Sequence, residues 1–265
     1  LCEMLANLGK KAVVYNQDRT PGHYRFLPGS GAILNRLPDT GNFDAAFVLD
    51  CSELERVGME AGRIRQIKTM VNIDHHVSNG GFCEVSLIDP RASSTGELIF
   101  RVMAAADIPL TQGIATNLYA AILTDTGGFR YGNTTPESFA AAGRLLESGA
   151  SPQWISENVY ENNPVVKIRL LSRVLETLSF DCEGRVGSMV VSRESLEKTG
   201  ALPEHTDGFV DMPRKVQGVE VSILFSELPD GHFKVSMRSK GNFSVERIAR
   251  AFGGGGHHNA AACRV

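Results

Sequence analysis

Short apolar runs alternate with helix-like segments near the start of the chain, and this alternation constrains the fold more than any other feature. The runs cover residues 11–16, 43–49 and 69–73, and the segments between them predict helices at about 30–37 and 53–67. Strands that alternate with helices favour a parallel sheet with helices packed on its faces. We therefore predict an α/β fold built on a parallel sheet with flanking helices.

Further helices are predicted after the last of these strands. Apolar residues recur at helical spacing from residue 95 to about 105, from 111 to 124 and from 136 to 147. Ser94 opens the first helix, and the sequence Ser-Thr-Gly-Glu matches a capping box, in which the first and fourth residues bond each other's backbone N–H.

The pattern changes after residue 163, where one predicted helix leads into a series of strands. The helix carries a proline in its first turn, and apolar runs follow it at 186–191, 219–225 and 233–237. A Pro-Asp-Gly turn joins the last two runs. We predict three parts in chain order: a parallel-sheet domain over 1–163, a connecting helix over 164–179, and a smaller α/β domain over 180–265.

Composition excludes several classes of protein. Apolar residues make up 42% of the chain and charged residues 22%, which is unlike disordered, collagenous or coiled-coil sequences. No apolar run approaches the roughly 20 residues of a membrane-spanning helix, so we expect no membrane contact. The five cysteines contain no Cys-x-x-Cys pair, which favours reduced thiols and a cytoplasmic location over a disulfide framework or a zinc site.

Charge is unevenly distributed along the chain. The net charge of −3 does not by itself indicate nucleic-acid binding. Residues 231–265, however, contain six basic side chains and a single acidic one, Glu246. This basic end is either a phosphate-binding surface opposite a metal site or an ordinary solvated face, and charge alone favours the second interpretation.

Acidic and imidazole side chains stand where two predicted strands end. Asp50 follows the second strand, and the triplet Asp74, His75 and His76 follows the third. Asp125 ends a predicted helix before a Thr-Gly-Gly turn. Open α/β sheets bind ligands beyond the carboxyl ends of their strands, and carboxylate and imidazole ligands suit Mn²⁺ or a similar divalent ion. The alternatives are that Asp50 caps a helix and that the histidines belong to a solvated turn.

A second cluster lies near the carboxyl end, where residues 253–256 are all glycine and His257 follows. Consecutive glycines allow backbone N–H groups to converge on an anion, and a helix starting near His257 would direct its dipole to the same place. Arg238, Ser239 and Lys240 stand at the end of a predicted strand, where they could contact a phosphate. A flexible linker is the alternative interpretation.

Four segments taken together resemble the DHH phosphoesterase superfamily. They are LDCSE (49–53), NIDHH (72–76), ILTDTGGFRY (122–131) and the glycine-rich end (237–262). The carboxyl-terminal part resembles the DHHA1 domain of that superfamily. The chain looks most similar to the group of bifunctional nano-RNases and 3′-phosphoadenosine 5′-phosphate phosphatases, and the resemblance covers most of the chain in order and spacing.

The resemblance implies a hydrolase that cleaves short oligoribonucleotides and 3′-phosphoadenosine 5′-phosphate with metal-activated water. The expected cofactor is Mn²⁺, with two ions in the complete protein and Mg²⁺ or Co²⁺ as substitutes. Asp50, His75 and Asp125 would be metal ligands. Asp74 would orient His75, and His76 would lie near the scissile phosphate.

The same resemblance implies where the substrates bind. These partners are short RNA or DNA oligonucleotides and a nucleoside bisphosphate, and a homodimer is a family-based expectation. The implied substrate-binding residues are Arg238, Ser239, Gly254, Gly255, Gly256, His257 and, as a weaker candidate, Arg130.

One departure from the family pattern affects the expected activity. The family's first motif, His-x-x-x-Asp-x-Asp, does not occur in these 265 residues, and the first residue is Leu1 rather than methionine. We expect the sequence to be part of a longer protein that carries this motif upstream. Asp50, His75 and Asp125 would hold one ion at best, so we predict weak or no activity for the 265 residues alone.

Two alternative functions remain at this point. One is a phosphodiesterase that acts on cyclic or linear dinucleotides with the same metal ligands. The other is a nucleic-acid-binding relative whose catalytic half has degenerated, which the missing first motif and the basic end both favour.

Overall fold

A computed structural model of the chain describes residues 1–39 and 42–265, including every side chain in these ranges except that of His257. These residues form two units, Leu1–Asn162 and Asn163–Val265. Within the described ranges, no helix combines the length and apolar character needed to span a bilayer.

The first unit begins with a short helix, α1 (Cys2–Asn7), and two short strands that pair in parallel, β1 (Val14–Tyr15) and β2 (Ile33–Leu34). The helix predicted at 30–37 is therefore wrong. Only Ser30–Ala32 forms a 3₁₀ turn, and the apolar residues that follow it pair with β1 instead. Pairing with a distant strand overrides a weak local helix pattern here.

The parallel sheet of this unit has three strands in the order β3 (Ala45–Leu49), β4 (Thr69–Asp74) and β5 (Val85–Ile88). The strands predicted at 43–49 and 69–73 pair in parallel, as expected, with Leu49 opposite Ile73. The carboxyl ends of β3 and β4 therefore lie side by side. The third strand, β5, was not predicted, and the strand predicted at 11–16 lies in the separate β1–β2 pair.

The helix predicted over 53–67 is interrupted between β3 and β4. Leu54–Glu60 is a 3₁₀ segment, and only α2 (Ala61–Ile64) is α-helical. Gly58 breaks the helix with a φ of 83°, and the Gln17 side chain lies so close that a Cβ at this position would meet it at 1.9 Å.

Four helices complete the first unit, and the three longest lie close to their predicted positions. Helix α3 packs on β4, and Ile122, Leu145 and Ile155 from the next three helices are fully buried in one shared core. The helices are α3 (Thr95–Ala105), α4 (Gln112–Asp125), α5 (Pro136–Glu147) and α6 (Pro152–Ser156).

The second unit is a six-stranded sheet with three helices. The helix predicted over 164–179 is shorter than expected. It is α7 (Val165–Leu175), which ends before the first strand of the sheet, and Pro164 occupies the N-cap position just before it. Leu170 and Val174 of this helix are buried against Met189 and Val191 of the sheet.

The order of the strands across this sheet is β10, β11, β9, β8, β7 and β6. The β7–β8 pair is parallel and the other pairs are antiparallel. The strands are β6 (Ser179–Asp181), β7 (Val186–Val191), β8 (Val221–Glu227), β9 (Phe233–Ser239), β10 (Gly255–His257) and β11 (Ala260–Arg264), and the remaining helices are α8 (Arg193–Thr199) and α9 (Val245–Ala251).

Two neighbouring leucines of α5 test how strongly the core holds the first unit together. Leu145 is 0% exposed and Leu146 is 42% exposed. We expect Leu145→Ala to lower the free energy of unfolding by about 2–5 kcal/mol, because it leaves a cavity in the core. Leu146→Ala should change it by no more than about 0.5 kcal/mol. Urea unfolding followed by circular dichroism measures both, and equal losses would contradict this packing.

Candidate metal centre

Asp50 is held at the end of β3 by the neighbouring strand. Its backbone N–H donates to the carbonyl of Ile73 on β4 at 3.0 Å. Its φ of 59° lies in the left-handed region, which aspartate adopts more readily than most residues other than glycine. The Thr95 hydroxyl, in the first turn of α3, donates to Asp50 Oδ1 at 2.8 Å and fixes the carboxylate.

The three predicted metal ligands converge at this edge of the sheet. His75 Nε2 lies 3.6 Å from Asp50 Oδ1 and 3.6 Å from Asp125 Oδ2. Metal–ligand bonds of about 2.1 Å place two neighbouring ligand atoms about 3 to 3.6 Å apart. The His75 nitrogen could therefore share a divalent cation with either carboxylate, and Asp50, His75 and His76 offer ligand atoms that all lie within 4.8 Å of one another. The Asp50 and Asp125 side chains remain 54% and 41% exposed, which leaves the site open to a ligand.

A backbone carbonyl sets the orientation of the His75 ring. The Nδ1 atom of His75 lies 3.2 Å from the carbonyl oxygen of Ala92. A carbonyl oxygen only accepts hydrogen bonds, so Nδ1 carries the proton and Nε2 is the nitrogen that can bind a cation.

Asp74 orients His76, and the prediction that it orients the His75 ring is wrong. Asp74 Oδ1 lies 2.6 Å from His76 Nδ1, whereas from His75 it accepts only the backbone N–H, at 2.8 Å. Side chains two residues apart lie on the same side of an extended chain, which explains why the carboxylate meets the second histidine and not the first.

The Asp74 carboxylate is fully buried yet remains charged. Burial alone would raise its pKa, but the hydrogen bonds from His76 and Asn79 outweigh this effect and hold the pKa below its usual value. The Asp74–His76 pair therefore combines a carboxylate with a ring whose proton lies on Nδ1.

Asn79 is a site residue that the sequence analysis missed. Its side-chain amide donates to Asp74 Oδ2 at 2.6 Å and to Asn72 Oδ1 at 2.8 Å. Asn72 in turn donates to the carbonyl of Val48 on β3 at 3.1 Å. These bonds connect the ends of the two strands. The only signal in the sequence was an asparagine before two glycines, which is typical of a solvated turn.

Asp125, the last residue of α4, has an unusual acidity. Its pKa is raised to about 6. The main cause is partial burial, which disfavours the charged form, and the second is repulsion by the nearby Asp50 carboxylate. His75 and His76 oppose this shift. Two carboxylates that face the same space are easier to keep ionised when a cation lies between them.

Arg130 lies in the loop that follows Asp125. Its side chain is exposed, and its Nε donates to the carbonyl of Gly127 at 2.5 Å. The structure therefore places it in the same unit as the candidate ligands, on the turn next to one of them.

In the second unit, Arg238 and Ser239 end strand β9 as predicted. The Ser239 hydroxyl is buried, donates to the carbonyl of Phe243 at 2.6 Å and accepts a hydrogen bond from Asn259 at 2.8 Å. This arrangement uses the hydroxyl to hold the loop after β9 and does not present it to a ligand. Arg238 is half-buried, and its guanidinium donates to the carbonyl of Met237 at 3.0 Å.

The segment around His257 is an edge hairpin, so the condition that a helix begins there to direct its dipole at an anion is not met. Gly255 lies opposite Ala262 in the pairing of β10 with β11. A Cβ at Gly254 would meet the Ala262 carbonyl oxygen at 2.2 Å, and one at Gly256 would meet a carbonyl oxygen of the same strand at 2.4 Å. The alanine-rich run after the histidines pairs with β9. The side chain of His257 lies outside the described residues.

The pairing in this hairpin predicts that alanine substitutions at two adjacent glycines affect stability differently. Gly254→Ala should destabilise the second unit, because its methyl group would overlap the backbone of β11. Gly255→Ala should be nearly neutral, because no atom lies within 4 Å of its added Cβ and its φ is not positive. Thermal unfolding of both variants measures the difference. A lower melting temperature for Gly255→Ala than for Gly254→Ala would contradict the observed pairing.

The raised pKa of Asp125 predicts how the metal-free protein responds to pH. The folded state holds a proton up to about pH 6 that the unfolded state releases near pH 4, so this residue destabilises the fold increasingly as pH rises between these values. Asp125→Asn removes the effect. In the presence of a chelator, the variant should therefore gain stability relative to the original chain from about pH 4 to about pH 7. Melting curves with parallel pH profiles for the two proteins would refute the assignment.

Comparison with known proteins places the chain among phosphoesterases. The model of the DHH family, N-terminal domain, matches residues 1–122, and the model of the DHHA1 domain matches residues 187–265. The bifunctional oligoribonuclease and PAP phosphatase NrnA of Thermus thermophilus is 34% identical over 98% of this chain and 76% of its own length. The cyclic-di-AMP phosphodiesterase PdeA of Listeria monocytogenes is 28% identical over 74% of this chain and 29% of its own length.

One solved structure is similar along nearly the whole chain. It is an exopolyphosphatase-related protein from Bacteroides fragilis, with a TM-score of 0.91 and 28% sequence identity. The match covers 98% of this chain and 79% of that protein. The similarity therefore includes both units.

Proposed function

Given that the chain belongs to the DHH family of phosphoesterases and contains a DHHA1 domain, we propose that it is a manganese-dependent hydrolase of short oligoribonucleotides and 3′-phosphoadenosine 5′-phosphate. The convergence of Asp50, His75 and Asp125 carries this proposal, because His75 Nε2 lies 3.6 Å from an oxygen of each carboxylate, a separation that neighbouring ligands of one divalent cation can have. The name of the Thermus relative, an oligoribonuclease and PAP phosphatase, supports the choice of substrates.

The donor atoms favour Mn²⁺ over a softer metal. Oxygen and imidazole ligands suit Mn²⁺, with Mg²⁺ and Co²⁺ as substitutes, whereas thiolate ligands would favour zinc. Cys51 stands beside Asp50, but burial raises the pKa of its thiol and the nearby carboxylates act in the same direction. This thiol is therefore harder to deprotonate than an ordinary cysteine and is a poorer ligand than the carboxylates.

The residues around the candidate cation site have different roles in the proposed hydrolysis. A divalent ion at this place would activate water and stabilise negative charge on the phosphoryl oxygens. Thr95 and the carbonyl of Ala92 keep Asp50 and His75 in position for it. Asp74 accepts the Nδ1 proton of His76, which leaves Nε2 as the ring nitrogen available to exchange a proton with a phosphoryl or leaving-group oxygen.

We assign substrate recognition in the second unit to Arg238, as a positive charge for a phosphate, and to the exposed backbone of Gly255. Arg130 is the corresponding candidate in the first unit. We assign packing roles to three other residues that were predicted to contact substrate. Ser239 is buried, and Gly254 and Gly256 face β11.

Hydrolysis assays on the whole product of the gene test the proposed function. We expect Mn²⁺-dependent release of mononucleotides from a labelled RNA trinucleotide and of phosphate from 3′-phosphoadenosine 5′-phosphate. His75→Ala should lower both rates by more than about a hundredfold, since changes even to groups that only support a metal ligand cost about 10–100-fold. His232→Ala, which alters an exposed histidine on the β8–β9 turn, is the matched control and should keep full activity.

Two results would replace the proposal with an alternative. Faster cleavage of cyclic di-AMP or a linear dinucleotide than of the trinucleotide and the bisphosphate would favour a dinucleotide phosphodiesterase. RNA binding without Mn²⁺-dependent hydrolysis of any of these substrates would favour a non-catalytic binding protein.

A further inference from the structure

We infer that Glu97 is a positioning residue for the candidate metal centre and that it acts through residues 92–95, here called the support segment. This inference rests on the proposed function, because it concerns the same metal site. Glu97 itself touches none of the three candidate ligands in the contacts described above. Its effect is transmitted by the backbone and side chains of the support segment.

The support segment contacts two of the three ligand residues directly and is linked to the third through Asn133. The Ala92 carbonyl oxygen lies 3.2 Å from His75 Nδ1, and the Thr95 hydroxyl donates to Asp50 at 2.8 Å. The third contact is indirect. The Asn133 side chain donates to the Ser93 carbonyl at 2.9 Å and to the Asp125 carbonyl at 3.1 Å. A shift of this one segment would therefore disturb the whole ligand set.

Glu97 holds the support segment at its centre. The Glu97 side chain is fully buried, and its Oε2 accepts hydrogen bonds from the Ser93 N–H at 2.8 Å and the Ser93 hydroxyl at 2.5 Å. Arg101 neutralises the Glu97 charge and also donates to Asp89 at 3.0 Å. The Asp89 carbonyl in turn accepts the N–H of Ala92 at 3.0 Å, so the segment is fixed at both ends.

The cap of helix α3 does not require this carboxylate. The Ser94 hydroxyl already accepts the Glu97 N–H at 3.1 Å, which is the contact expected of an N-cap. In the predicted capping box the glutamate would bond the N–H of Ser94, but it reaches one residue further back, to Ser93. A buried carboxylate is unfavourable unless it is fully paired. Its placement is thus explained by the segment that it orders and not by the helix that it starts.

Mn²⁺ titration calorimetry on the whole gene product tests this role without relying on activity. We expect Glu97→Gln to weaken Mn²⁺ binding by at least about tenfold, as is typical when the support of a metal ligand is lost. Glu147→Gln is the matched control, because Glu147 also pairs with an arginine on a helix of the same unit but is exposed. It should leave the Mn²⁺ affinity unchanged.

A second pair of variants tests the support segment if Glu97→Gln does not fold. Thr95→Val keeps the shape of the side chain but removes the hydrogen bond to Asp50, and Thr95→Ser keeps the hydroxyl. We expect weaker Mn²⁺ binding for the valine variant and near-original affinity for the serine variant. In the whole gene product, excess Mn²⁺ should restore most of the activity of Glu97→Gln, which a general loss of folding would not allow.

The outcomes separate this inference from the proposed function. Original Mn²⁺ affinity in a folded Glu97→Gln chain, or in Thr95→Val, would overturn the positioning role and leave the proposed function intact. If the unaltered gene product binds no Mn²⁺, the proposed function fails and the positioning role fails with it.

Discussion

The parallel pairing of β3 with β4 is the interaction on which the candidate metal centre depends. It places Leu49 opposite Ile73, so that Asp50 and the Asp-His-His triplet leave the sheet at the same edge. A shift of one residue in this register would turn every side chain of one strand to the opposite face. Asn72 opposes such a shift, because its buried amide bonds the carbonyls of Val48 and Cys51 across the pair.

This arrangement brings the carboxylates of Asp74 and Asp125 to the same edge of the sheet, and their different surroundings give them different pKa values. Asp74 is buried but receives enough hydrogen bonds to keep its pKa low, so it acts as a fixed negative charge beneath His76. Among the described residues, no comparable donors bond the Asp125 carboxylate, and its pKa is about 6 next to Asp50. A site of this kind is unfavourable for the metal-free fold and favourable for binding a cation, which is a common relation between stability and function.

Local sequence patterns predicted the elements whose stability is mainly local. Helices α3, α4 and α5 start near the predicted residues because a Ser or Thr caps each of them and apolar residues recur at helical spacing. The same reasoning failed at 30–37. A short apolar run forms a strand there because a distant strand offers backbone hydrogen bonds. Sequence spacing alone does not contain that information.

The sequence by itself determined the family, the parallel sheet and the identity of Asp50, His75 and Asp125 as candidate ligands. These follow from residue types placed at the ends of recognisable strands and helices. Only the tertiary structure decided that Asp74 supports His76, that Glu97 bonds Ser93, and that Gly254 and Gly256 face β11. Each of these contacts depends on the direction of one side chain or the approach of two backbones, and such distances are set by packing between elements and not by the order of residues along the chain.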